Sequence, residues 1–177
     1  MQPKFVIIVE FGQDSSRRIS AVLQRLEIKH LLVRPSETPS MNPTHIILSG
    51  GPKHVYENDH YAMPAWIFHT QAPVLAICYG MQLLAHTLGG FVRRMPQKEE
   101  GPIEVIEMIG GKQTTKHRWM NRNDQVVSVP KQFKITGVTV DNHIAAFTDN
   151  IKWWAIQYHP EASKCRDTRL FRRFLRL

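Results

Sequence analysis

Cysteine is scarce in this chain of 177 residues. Only Cys78 and Cys165 occur, so there is no disulfide framework, and no C-x-x-C pair offers the spacing of a structural zinc site. Long hydrophobic runs are missing as well. The N-terminal run from Phe5 to Val9 is too short for a signal-peptide core or a membrane span, so no membrane association is expected. There is no internal repeat, low-complexity segment or linker, and the phosphate-loop spacing G-x-x-x-x-G-K-[ST] does not occur. These absences leave a single domain over 1–177, held by an ordinary apolar core, with a reducing cytoplasm as the expected compartment.

What is present is globular in type: 42% hydrophobic and 21% charged residues. The net charge of +8 would suit an acidic partner or a nucleic acid. No basic motif interleaved with aromatics accompanies it, so the charge reads as a solvated face and no nucleic-acid partner is expected. Much of the excess lies in the tail, where Arg166, Arg169, Arg172, Arg173 and Arg176 alternate with Leu170, Phe171, Phe174 and Leu175. That spacing predicts a closing amphipathic helix with its apolar stripe on the core.

Phe5–Val9, His30–Val33, His45–Leu48 and Pro73–Ile77 are apolar runs of the kind that form buried parallel strands. Between them, helices are predicted over 17–26, with Asp14, Ser15 and Ser16 as caps, and over 61–70. A further helix is predicted over 81–88, closed by Gly89-Gly90. Beyond it the texture changes to short strands at 103–109, 112–117, 125–129, 133–140, 144–147 and 153–158. The order argues for an α/β sandwich: a mainly parallel central sheet with helices on both faces and an antiparallel extension.

Three segments carry chemistry. Ala76-Ile77-Cys78-Tyr79-Gly80 puts a cysteine on a sharp turn between a buried strand and a helix, where the helix N-terminus favours thiolate. In Gln157-Tyr158-His159-Pro160-Glu161, the proline holds His159 extended. Glu161 can then reach back to one imidazole nitrogen and leave the other for a nucleophile. Ser49-Gly50-Gly51-Pro52 follows a strand and can turn backbone N–H groups toward a developing oxyanion. Each alone has an ordinary structural reading, as a buried cysteine, a surface histidine beside a turn, or a Gly-Gly turn.

Together, in this order, the segments Ile47–Pro52, Ala76–Gln82 and Ala155–Glu161 resemble the class I glutamine amidotransferases over essentially the whole chain. Ser49–Glu57, Cys78–Ala85 and Trp119-Met120…Asp124 are similar to the glutaminase portion of GMP synthetases. The resemblance implies an amidotransferase-type sandwich in which Cys78 forms a γ-glutamyl thioester, His159 moves protons and Glu161 fixes the imidazole. It further implies an oxyanion hole from the Gly51 and Tyr79 amides, and glutamine contacts from Gly50, Gln82, Asn121 and Arg122. No cofactor is expected in this chain; ATP and magnesium would belong to a separate ATP-pyrophosphatase synthetase subunit that receives the ammonia.

The chain departs from the family pattern in three places. Ala76 stands where glycine is usual, Glu99-Glu100-Gly101 replaces Glu-Tyr-Gly, and Asn121-Arg122-Asn123-Asp124 replaces Ser-His-Gly-Asp. Two other readings stay open: a free-standing γ-glutamyl hydrolase using the same thiol chemistry and, motivated by the last change, a non-catalytic module that kept the fold. Cys165 reads as incidental. His54 and His60 lack the spacing of a metal pair, and adjacent Trp153 and Trp154 should face opposite sides of a strand.

Overall fold

The computed structural model describes residues 3–164 and 167–177; Cys165 and Arg166 lie outside them. In chain order the elements are β1 (Phe5–Val9), α1 (Gln13–Arg25), β2 (Lys29–Val33), β3 (His45–Leu48), α2 (Trp66–His69), β4 (Val74–Ile77) and α3 (Tyr79–Thr87). There follow β5 (Phe91–Ile109), β6 (Lys112–Ser128), β7 (Lys134–Thr139), β8 (Ile144–Thr148), β9 (Trp153–Ile156) and α4 (Thr168–Leu175). The strands form one nine-stranded sheet in the order β2-β1-β3-β4-β9-β8-β7-β5-β6. Pairings from β2 through β9 are parallel, and those from β9 out to β6 are antiparallel. The antiparallel extension is therefore as broad as the parallel part.

The apolar runs are unbroken because both faces of the parallel strands are covered. On one face Ile7, Val9, Ile46 and Leu48 pack with Ile67 of α2 and Tyr79 and Leu84 of α3. On the other, Val6, Ile8, Ile47 and Leu75 pack with Ile19 and Leu23 of α1 and Phe171 and Leu175 of α4. Each fully buried side chain of this size contributes about 2 kcal/mol of transfer free energy. The tail arginines alternate with that stripe as expected. Trp153 and Trp154 do face opposite sides, against Phe68 and Phe174 respectively.

Three expectations are corrected. α1 begins earlier, at Gln13, with Gly12 as its N-cap and no side-chain cap; Asp14 instead pairs with Arg18 at 2.8 Å. The helix expected over 61–70 forms only at Trp66–His69. Pro64 has no amide to continue a helix and restrains Met63, and the Tyr61 amide goes to the Tyr79 hydroxyl at 3.1 Å.

The largest correction concerns 91–128. The three short strands and the intervening loop are one long hairpin, turned at Gly110 and Gly111, both at positive φ. Positions 119–124 are strand, paired opposite Glu99–Pro102 and Arg94. Met120, Arg122, Asp124 and Val126 are buried in alternation, a period that the polar side chains conceal in the sequence. Among the described residues no helix is long and apolar enough to cross a membrane.

Candidate active site

β4 delivers Cys78 to the carboxyl edge of the sheet, where α3 turns away from it. The turn is sharp enough to force Cys78 to φ 50°, ψ −106°, a conformation costing about 1–3 kcal/mol for a residue with a side chain. Its neighbours hold it there. The Cys78 amide donates to Ile156 O of β9 at 2.8 Å, and the Gly80 amide donates to Ser49 O at 3.2 Å. A Cβ at Gly80 would stand 2.7 Å from Leu48 Cβ and 2.8 Å from Leu48 O, so α3 rests directly on the end of β3. The same crowding at Gly51, where a Cβ would meet Phe11 O at 2.8 Å, holds the glycine loop against the turn between β1 and α1.

β9 runs beside β4 and carries the base. Gln157 is tied to Ala145 O at 2.9 Å, and the His159 amide donates to Trp119 O of β6 at 2.8 Å. The His159 side chain meets Glu161 through Nδ1 and Oε1 at 2.8 Å, with the carboxyl 1% exposed and the imidazole 15%. Burial by itself would push the His159 pKa down. The charge and hydrogen bond of Cys78, followed by those of Glu161, outweigh it and hold the imidazole well above its ordinary value. Cys78, His159 and Glu161 are thus brought together from two adjacent parallel strands, as an activated-thiol site requires.

The triad opens into a cleft of about 480 Å³. Gly50, Gly51, Gln82, Asn121 and Arg122 all line it. The Gly50 amide is already committed to Ser15 Oγ at 3.0 Å. Gln82 Nε2 donates to Asp124 O at 3.4 Å and to Gln157 Oε1 at 3.3 Å. Asn121 contributes its carbonyl, which lies 3.7 Å from Cys78 Sγ. Tyr79 stands at the first turn of α3 beside Cys78. Its ring points away into the core, where burial raises the phenol to about 12. The Arg122 guanidinium is turned under the wall of the cleft, donating through Nε to Glu99 Oε2 at 2.6 Å and approaching His143 Nδ1 at 3.3 Å.

Two groups in the cleft carry more than the sequence suggested. Asp124 is 3% exposed and holds His54 Nδ1 at 2.6 Å and the Tyr56 hydroxyl at 2.8 Å. Burial first, and then Asp124, pushes Tyr56 up to about 12, so it remains a donor. Ser15 reaches Glu161 Oε1 at 2.8 Å across 146 positions of chain. Nothing in local spacing signals that contact. The Asp124 cluster is foreshadowed only by the segments that carry the family resemblance. Among the described residues, no group of three or more His, Cys, Asp or Glu side chains is placed to hold a metal ion. A second hollow of about 510 Å³ lies between α4 and the β4–β9–β8 region and contains none of the triad.

Comparison with known proteins agrees with this geometry. The family model described as glutamine amidotransferase class-I matches residues 7–177. GMP synthase [glutamine-hydrolyzing] of Thermotoga petrophila is 37% identical over 162 residues, covering 88% of this chain. The enzyme of the same name from Oleidesulfovibrio alaskensis is 37% identical over 183 residues, covering 96%. This chain spans only 32% and 36% of those two proteins, about a third of their length. Among solved structures, a GMP synthase subunit protein from Thermoplasma acidophilum superposes with a TM-score of 0.87 at 24% identity, covering 99% of this chain and 94% of its own. A glutamine amidotransferase from Thermotoga maritima superposes with a TM-score of 0.77 at 19% identity, covering 97% and 82%. With the family model matched from Ile7 to the last residue and the cysteine, histidine and glutamate gathered at one cleft, the chain belongs to the class I glutamine amidotransferases.

Proposed function

We propose that this chain is a glutaminase that supplies ammonia to a separate ATP-pyrophosphatase subunit, which uses it to convert XMP to GMP in the cytoplasm. The observation that carries the reading is Cys78 on its strained elbow, hydrogen-bonded to a His159 that Glu161 anchors at 2.8 Å. Similarity to GMP synthases over a third of their length supports the choice of acceptor.

The Cys78 thiolate adds to the carboxamide carbon of glutamine, and the carbonyl π electrons move onto oxygen. The Gly51 and Tyr79 amides receive that oxyanion. The C–N bond then breaks as protonated His159 gives its proton to the leaving nitrogen, releasing ammonia and leaving a thioester. Water, deprotonated by His159, attacks the thioester; the C–S bond breaks, glutamate leaves and the thiolate–imidazolium pair is restored. Glu161 holds the imidazole angle throughout. Gly50, Gln82, Asn121 and Arg122 form the wall against which glutamine rests. No cofactor takes part in these steps; ATP and magnesium act in the partner.

The test is ammonia release from glutamine by wild type and Cys78→Ala, each with and without a candidate synthetase subunit loaded with ATP and XMP. The expected result is release that falls about 10⁴-fold or more in the variant and rises when the loaded subunit is present. Full activity in Cys78→Ala would refute the mechanism. Release that ignores the synthetase would remove the partner from the reading.

A further inference from the structure

We infer that Ser15 is a positioning residue whose one hydroxyl locks the triad carboxylate and the glycine loop together; the inference rests on the glutaminase reading of the site. Ser15 lies in the first turn of α1, the helix of Gln13–Arg25, yet its hydroxyl is directed away from that helix and toward two distant groups. The contrast is with its neighbour. Ser16 Oγ bonds Glu10 Oε2 at 2.6 Å and Gln13 O at 3.2 Å, which is a local role. Ser15 Oγ instead donates to Glu161 Oε1 at 2.8 Å and accepts from the Gly50 amide at 3.0 Å. A hydroxyl has one proton and two lone pairs, so both bonds can be made at once.

The first bond matters because of how Glu161 is held. His159 and Ser15 both meet it at Oε1, while Oε2 is buried with no hydrogen-bond partner among the described groups. With Ser15 removed, the bond to His159 remains but the carboxyl group loses its second restraint against turning about its last torsion, and the angle that directs the imidazole at Cys78 is less firmly fixed. The second bond matters because Gly50 is wedged between the same two groups. A Cβ there would stand 2.9 Å from His159 Cε1 and 3.2 Å from Ser15 Oγ. Anchoring the Gly50 amide fixes the backbone that leads into Gly51. Both halves of the chemistry, the base and the oxyanion loop, therefore take their position from the same oxygen.

The discriminating pair is Ser15→Thr and Ser15→Val, which have nearly the same shape and differ in the hydroxyl. Glutamine turnover is measured in the purified chain as kcat and KM, and Cys78 alkylation by iodoacetamide is followed separately against pH. Ser15→Thr is expected to keep near-wild-type values. Ser15→Val is expected to lose about ten- to hundredfold in kcat, the weight of one hydrogen bond to a charged group, with KM little changed. Its alkylation should slow by a comparable factor near neutral pH.

Equal kcat and alkylation rates in the two variants would overturn the inference. So would a loss in Ser15→Val that falls wholly on KM, or that is matched by Ser15→Thr and tracks a lower melting temperature. If the wild type releases no ammonia but alkylation still depends on the hydroxyl, the glutaminase reading fails and the positioning role stands.

Discussion

β1, β3 and β4 are buried almost throughout and are made of Val, Ile, Leu, Ala, Phe and one histidine. β5 and β6 bury a different set: Arg118, Arg122, Asp124, Gln125 and Glu107 lie inside beside Val105, Met120 and Val126. The parallel half is held by shape, and the hairpin by charge pairs and hydrogen bonds. The functional groups divide along the same line. The elbow and glycine loop sit at the ends of the apolar strands. The wall of the cleft, from Asn121 to Asp124, belongs to the polar hairpin. The seam is β9, paired with the parallel strand β4 on one side and the antiparallel strand β8 on the other, and it delivers His159 and Glu161. Apolar packing tolerates little backbone movement and suits a strained nucleophile. A polar wall can be re-paired without rebuilding the core.

The largest expected effect comes from removing a charge from the hairpin. Arg118 donates to Glu107 at 3.0 and 2.7 Å and to Asp167 at 2.5 Å, and its guanidinium covers the Tyr158 ring at 4.6 Å. Arg118→Leu takes the paired cation from the buried Glu107 carboxylate, which keeps its bond from the Tyr158 hydroxyl at 2.6 Å, and is expected to destabilise the protein by about 3–5 kcal/mol in urea unfolding. The double variant Arg118→Leu with Glu107→Leu should recover a large part of that loss. If the single variant costs under about 1 kcal/mol, the hairpin is not held by its charges.

The next effect lies on the apolar side. Gly80→Ala places a methyl 2.7 Å from Leu48 Cβ, with backbone behind it, and β3 has no room to retreat. A loss of about 2–3 kcal/mol is expected, together with low glutaminase activity in whatever remains folded, because the elbow must open. Stability and turnover measured on the same sample separate this from a purely catalytic defect, which would leave the unfolding midpoint unchanged.

These two halves are unequally legible in the sequence. The parallel part can be read because burial on both faces leaves unbroken aliphatic runs, and because Cys78, His159 and Glu161 each sit within a few residues of a strand end. α2 is shorter than its pattern suggests because periodicity across 61–70 hides the break at Pro64. The hairpin falls into pieces in the sequence because Arg122, Asn123 and Asp124 have the composition of a loop. Their partners Glu99, Arg94 and His54 lie far off in the chain, and the register slips between Arg94 and Glu99. Arg122, expected at the substrate, lines the cleft while its charge is matched by Glu99, a pairing that only the strand register reveals. Ser15 has the sequence position of a cap because serine near a helix start usually is one; its contact to Glu161 depends on the closure of the whole sheet.

The parallel half also handles its buried titratable group differently. His45, in β3, packs against Phe174 with ring centroids 5.2 Å apart. Burial, and then the charges of Lys4 and Arg176, lower its pKa from 6.5 to about 4. The folded chain thus keeps His45 neutral where the unfolded chain would protonate it. The unfolded state binds more protons in that window, so stability falls as pH drops from 6.5 toward 4. Solvent screening keeps this contribution to about 1–2 kcal/mol. His45→Phe should flatten that part of the stability–pH curve. An unchanged slope would mean that His45 is not the source of the acid sensitivity.

The smallest effect is the most informative about the cleft wall. Tyr56 is 41% exposed, yet its hydroxyl donates to the buried Asp124 at 2.8 Å beside His54. Tyr56→Phe leaves the ring stacked on His54 and the bond between His54 and Asp124, and removes the hydroxyl that donates to Asp124 and lies 3.2 Å from His54 Nδ1. Because the phenol is partly solvated, the expected loss of stability is about 1 kcal/mol. Asp124 faces the same cleft as Cys78 but lies in the hairpin. If the polar half holds glutamine while the apolar half performs the chemistry, the loss should fall on KM, rising about three- to tenfold, with kcat nearly unchanged. A fall in kcat at constant KM would place Asp124 in the transition state and erase the division, because a hairpin carboxylate would then be acting with the elbow rather than beside it.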